Sequence, residues 1–85
     1  MLMGAIEREQ IEKDLLKIIA KLAGSAVEKI KLEDKLKDDL GFDSLKSIEA
    51  ISRITELYEI DPDMDSLSGI ESVKDIVDYL EKQLK

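Results

Sequence analysis

The chain has no cysteine, no histidine and no tryptophan. Without cysteine there is no disulfide framework, no thiolate nucleophile and no thiolate metal site. Without histidine the commonest general base and the commonest metal ligand are missing. A hydrolase would have to rely on a Ser–Lys or carboxylate arrangement, and no lysine is set against a candidate serine. Aromatic residues make up only 4%, so the core has to be aliphatic. Long apolar runs are missing as well. The most apolar early stretch, residues 15–24, contains Lys17 and Lys21 and is far too short to span a bilayer. Met1-Leu2-Met3-Gly4 leads into charges, with no small-residue cleavage pattern after an apolar run, so no secretory leader is read. The expected compartment is the cytoplasm, with no membrane insertion. The carboxylate pairs Asp38-Asp39 and Asp63/Asp65 lack EF-hand spacing, and no resident metal is expected.

What is present suits a small helical protein. Eighty-five residues, 44% hydrophobic and 39% charged, are enough for one domain spanning 1–85 and a modest core. The net charge is −7, and it is unevenly spread. Residues 33–65 carry eleven acids and four bases, while residues 1–32 are close to neutral. A domain of this sign repels nucleic acid and anionic lipid and attracts proteins with basic patches.

Periodicity predicts three main helices, one short helix and no strand, an all-α bundle. The first helix is expected from Ile6 to Leu22, with Ile11, Leu15, Ile18, Ile19 and Leu22 at helical spacing and Gly24-Ser25 as its stop. A long ordered loop follows from Ser25 to Asp43. Val27, Ile30, Leu32, Leu36 and Leu40 are its apolar anchors, and it has room for one short helical turn. The second helix is expected from Ser44 to Glu59. On a helical wheel Ser47, Ala50, Ile51, Ile54, Leu57 and Tyr58 form its core face. Leu45 falls nearly opposite that face and Ile48 at its edge. They either cover loop residues such as Leu40 and Phe42 or form a small contact surface for a partner. Asp61-Pro62 marks the start of a short helix, with Asp61 as cap and Pro62 at the first position. The last helix opens on Ser72, with Asp75 three residues on as an acidic variant of the capping box. Val73, Ile76, Val77, Leu80 and Leu84 follow at helical spacing, and Lys82 and Lys85 suit its end.

The most informative stretch is Leu40-Gly41-Phe42-Asp43-Ser44-Leu45. It puts one hydroxyl in the first turn of a helix, after a glycine that tolerates a bend. Backbone N–H groups there lack intrahelical acceptors, so an anion attached to the serine is well received, by about 0.3–1 kcal/mol. The Asp43 carboxylate opposes such an anion by about 1 kcal/mol at ~4 Å in water. Asp43 therefore needs another role, and capping the helix is one. Ser44 could itself be no more than a cap.

The run Leu-Gly-x-Asp-Ser-Leu, in this setting, resembles the attachment site of the acyl carrier proteins. The match extends from Leu36 through the motif to Asp78-Tyr79-Leu80 in the last helix, nearly the whole chain. The resemblance implies that Ser44 carries covalent 4′-phosphopantetheine, derived from coenzyme A, with Asp43 and Leu45 beside it. It further implies that Asp43 helps position the metal that bridges cofactor and transferase. On this reading the protein is not an enzyme. It tethers acyl intermediates as thioesters for partner enzymes of fatty acid, polyketide or related lipid biosynthesis. The partners implied are a phosphopantetheinyl transferase and acyl-loading and acyl-processing enzymes with basic docking patches, met by a monomer. Leu45, Ile48, Glu49 and Glu56 are the docking candidates. An apolar cargo would be lined by Ile51, Ile54, Ile70, Ile76 and Tyr79, with Leu45 and Ile48, although plain core packing is the simpler reading of each residue taken singly.

This chain departs from the family pattern in three places. Carriers of primary fatty acid synthesis are typically more acidic, and an acid often follows the Ser-Leu pair where this chain has Lys46. Arg53 adds a second positive charge, and Ser52 stands where a large apolar residue is common. The pathway is thereby left open between primary fatty acid synthesis and a dedicated carrier. The rival reading is a small acidic helical interaction module without a prosthetic group.

Overall fold

A computed structural model describes residues 7–84, apart from the side chains of Met64 and Ser66. Helix α1 spans Arg8–Ala23, α2 Ser44–Leu57, α3 Met64–Leu67 and α4 Val73–Leu84, with a 3-10 turn at Val27–Lys29. The fold is all-α: three long helices, one single-turn helix and a long ordered loop between α1 and α2. Among the described residues no strand forms, and Lys35 and Ser72 make one isolated antiparallel bridge. Among them, too, no helix is long and apolar enough to cross a membrane. Ile6 and Lys85, expected at the two outer helix ends, lie outside the described residues.

Helix α1 ends at Gly24, whose φ of 68° is left-handed and whose N–H donates to the Ala20 carbonyl. Glycine adopts that conformation without the Cβ penalty. Helix α4 begins with a reciprocal cap. The Asp75 N–H donates to the Ser72 hydroxyl at 3.2 Å, and the Ser72 N–H donates to the Asp75 carboxylate at 3.0 Å. Its N-terminal turn is thus satisfied from both sides.

The core is aliphatic. Ile11, Leu15 and Ile19 of α1, Ala50, Ile51 and Ile54 of α2, and Val73, Ile76, Val77 and Leu80 of α4 are buried together. Tyr79 is buried too, and its hydroxyl accepts the Asp63 N–H at 2.9 Å, which ties the approach to α3 onto α4. Two polar ties join the helices at their ends. The Tyr58 hydroxyl, at the end of α2, donates to Asp14 of α1. Burial, with that carboxylate, pushes the Tyr58 phenol far above its ordinary range. Arg8 donates to Asp78 at 2.8 Å and to Glu81 at 2.9 Å on α4. The guanidinium hydrogen bond holds the Asp78 carboxyl below the usual carboxylate range. Both ties set the later halves of α2 and α4 beside the first half of α1.

Several sequence expectations are corrected. Helix α2 ends at Leu57, with Tyr58 as its cap residue, so Glu59 lies outside it. Glu59 itself takes a left-handed φ of 57° as the chain leaves the helix. The buried arc of α2 is rotated toward Thr55, which is buried while Leu57 is 56% exposed. Burying Thr55 is inexpensive because its hydroxyl donates to the Ile51 carbonyl at 2.8 Å. Helix α3 starts at Met64, later than Asp61-Pro62 suggested. Asp63 holds its start, its side chain accepting the Asp65 N–H and its carbonyl the Leu67 N–H. Val27 is not an anchor: it is 39% exposed, whereas Ile30 and Leu36 are buried.

Candidate functional site

The segment before Ser44 is held by main-chain hydrogen bonds. The Leu36 N–H donates to Glu71 O, Val73 N–H to Asp34 O and Lys74 N–H to Leu32 O, at 2.8–3.1 Å. The loop is thus laced to the start of α4. Residues 36–40 then turn helically, and the Asp39 carboxylate closes the turn by accepting the Lys35 N–H at 2.7 Å. Gly41 reverses the chain with a φ of 69°. Nothing lies within 4 Å of where its Cβ would stand, so the demand for glycine is torsional rather than spatial. The reversal lets the Phe42 N–H reach back to Leu36 O at 2.7 Å and drops the ring into the core, 2% exposed.

Asp43 caps α2. Its carboxylate accepts the Lys46 N–H at 2.8 Å, and its carbonyl accepts the Ser47 N–H at 3.0 Å. That leaves the N–H groups of Ser44 and Leu45 as the first-turn amides without an intrahelical acceptor. Ser44 is exposed. Leu45 projects beside it, 78% exposed, and Ile48 is 42% exposed one turn on. Lys46, rather than Leu45, lies over Phe42, its Nζ 5.9 Å from the ring centre.

A cleft of about 330 Å³ opens at Ser44. Leu36, Ser47, Ile48 and Ile51 line it from the loop and α2, and Leu67, Ser68 and Ile70 close it from the α3 side. Of the cargo residues read from sequence, Ile51 and Ile70 border this cleft. Ile54 and Ile76 lie wholly inside the packed core, and Tyr79 is 8% exposed. None of these three borders the cleft. Sequence marks Leu36 as a loop anchor and Ser47 as part of the α2 core face, and it marks neither these nor Leu67 and Ser68 as lining a cleft, because the cleft is made where three segments meet. Glu49 and Glu56, the acidic docking candidates, are exposed on α2, and Glu49 is paired with Arg53 at 2.8 Å. Among the described residues no cluster of carboxylates is arranged to hold a metal.

The arrangement fits a hydroxyl-linked phosphodiester. Its acceptor is exposed and the neighbouring Ser44 and Leu45 amides lack an intrahelical acceptor, while the Asp43 carboxylate caps the helix and keeps its charge.

Known proteins agree. The phosphopantetheine attachment site family matches residues 13–80. An acyl carrier protein of Exiguobacterium sibiricum is 35% identical over 77 residues, 91% of this chain and 98% of its own. One from Desulforapulum autotrophicum is 39% identical over 74 residues, 86% of this chain and 96% of its own. Acyl carrier protein 3 of Ralstonia nicotianae is 37% identical over 67 residues, 79% and 77% of the two chains. With matches of this extent, the chain belongs to the acyl carrier protein family, whose prosthetic group is covalent 4′-phosphopantetheine.

Proposed function

We propose that Ser44 is the attachment residue and that the protein ferries acyl intermediates on the arm it bears. The exposed Ser44 hydroxyl at the uncapped amides of α2, above the cleft, is the observation that carries this reading. In loading, Ser44 Oγ bonds to the phosphorus of the pantetheine phosphate of coenzyme A. The P–O bond to adenosine 3′,5′-bisphosphate breaks, and the hydroxyl proton passes to a base of the transferase. Asp43 orients the first turn of α2 and assists the transferase's metal. The group supplies a terminal thiol, on which acyl units are held as thioesters.

The domain itself does no bond chemistry. Its contribution is to raise the local concentration of a tethered substrate at each partner active site. Leu45, Ile48, Glu49 and Glu56 form the contact face, and Ile51 and Ile70 shelter the near end of an apolar cargo. Ile54, Ile76 and Tyr79 act beyond it only if the core parts. The partners are a phosphopantetheinyl transferase and enzymes of fatty acid, polyketide or related lipid biosynthesis, and the carrier works as a cytoplasmic monomer. Lys46 and Arg53 favour a dedicated carrier over one for primary fatty acid synthesis.

The test is co-expression with a broad-specificity phosphopantetheinyl transferase, followed by intact mass. One added phosphopantetheine is expected, absent from a folded Ser44→Ala chain. An unmodified wild-type chain, or label persisting in Ser44→Ala, would refute the assignment.

A further inference from the structure

The charges of helix α2 are arranged differently from those of the other two long helices. In the first turns of α1 and α4 a base is accompanied by an acid, Arg8 by Glu9 and Lys74 by Asp75, and each helix has a base in its last turn, Lys21 and Lys82. Both therefore hold, at each end, a charge of the sign that the backbone dipole favours. Helix α2 has no acid in its first turn and no base in its last. Lys46 stands at its start and Glu56 near its end, so these side chains run against the dipole. Lys46, Glu49, Arg53 and Glu56 cancel, leaving the helix neutral in a chain of net charge −7. Helix stability does not account for Lys46. Its ammonium sits at the unfavourable end, and its contact with the Phe42 ring, at 5.9 Å, is at the outer limit of a cation–π pair.

The geometry of the face gives these charges a place. At 3.6 residues per turn, Lys46, Arg53 and Leu57 share one stripe, and Leu45, Ser52 and Glu56 share the next. Leu45 and Leu57 are 78% and 56% exposed. An enzyme that transfers phosphopantetheine from coenzyme A to Ser44 Oγ has to cover the first turn of α2, where Leu45 and Lys46 are the following residues. The occupant of this face is therefore a protein surface, and the charges say which kind.

We infer that Lys46, backed by Arg53, is a specificity-determining positive edge, and that the cognate modifying enzyme carries a carboxylate opposite it. The same partner offers an apolar patch to Leu45 and Ile48 and a base to Glu56. A uniformly basic docking surface meets the edge with like charge and associates slowly. The inference rests on Ser44 being the acceptor.

The probe is a broad-specificity phosphopantetheinyl transferase with a basic docking surface, used with coenzyme A on the full chain. Lys46→Glu and Arg53→Glu are each expected to raise kcat/KM about three- to tenfold at low salt. The gain shrinks as salt screens the contact. Lys46→Gln falls between wild type and Lys46→Glu. Converting a docking base of the transferase to Glu reverses the order and favours wild type. Lys46→Glu should melt no lower than wild type, because an acid in the first turn follows the dipole. Equal rates at every ionic strength, or slower labelling of both reversals, would overturn the inference and spare the acceptor. A wild-type chain that takes no label would remove both.

Discussion

Helices α2 and α4 are built from the same aliphatic alphabet and serve different ends. Helix α4 is closed at its start by the Ser72–Asp75 exchange, has an acid in its first turn and a base in its last, and buries five side chains. Helix α2 leaves two first-turn amides open, has neither that acid nor that base within it, and exposes Leu45, Ile48 and Leu57. These choices in α4 support the fold. In α2 several do not, and they lie on the face around Ser44. Local rules relaxed together on one face point to a place where function outranks stability.

The contrast can be broken by substitution. Ile76→Ala in α4 removes a fully buried side chain and should lower unfolding stability by about 2–5 kcal/mol, read from urea denaturation. A loss well under 1 kcal/mol would mean that α4 is not the structural helix. Ser72→Ala takes away one half of the reciprocal cap and should cost about 0.5–2 kcal/mol. The same measurement checks it, with an unchanged slope against urea.

The tie between α1 and α4 adds a pH signature. Asp78 has its folded value depressed by Arg8, so its contribution is present above the unfolded carboxylate value, near pH 4. It is lost as the pH falls through the lower folded value. Arg8→Gln should abolish this part of the acid dependence, and because the pair is partly exposed, the change should be about 0.5 kcal/mol or less. Melting curves from pH 7 down to pH 3 would show the wild-type and variant lines converging. A constant gap would place the effect in packing rather than charge.

The smallest effect on stability should come from α2. Leu45→Ala is expected to shift it by no more than ~0.5 kcal/mol. It should nevertheless slow transferase labelling several-fold. If stability falls and labelling does not, Leu45 is a packing residue and the contrast with α4 fails.

Much of this architecture is written locally. Gly24 stops α1, Ser72 and Asp75 start α4, and Gly41-Phe42-Asp43 turns the chain into α2. Each signal acts within a few residues, so each can be read one-dimensionally. What stays hidden is set by distant neighbours. The wheel gave the right face of α2 but centred it too far toward Leu57, because the position of α1 and α4 decides the arc. Asp61-Pro62 looks like a helix start, yet Asp63 takes that place, where its N–H also meets the Tyr79 hydroxyl. The cleft was only partly visible for the same reason. Ile51 and Ile70 could be named from their apolar character, but Ser47, Ser68 and Leu36 line it because three separate segments converge there.

The lacing of residues 32–36 to the start of α4 has a mechanical consequence. A chain end that swings from a drifting base searches a volume blurred by the base's own wandering. Here the base is pinned through Leu36, Val73 and Lys74 amides, with Phe42 sunk as a peg beneath it. With the arm on Ser44, as proposed, the region it sweeps is fixed by the arm's length alone. A partner need only present its entrance within that radius.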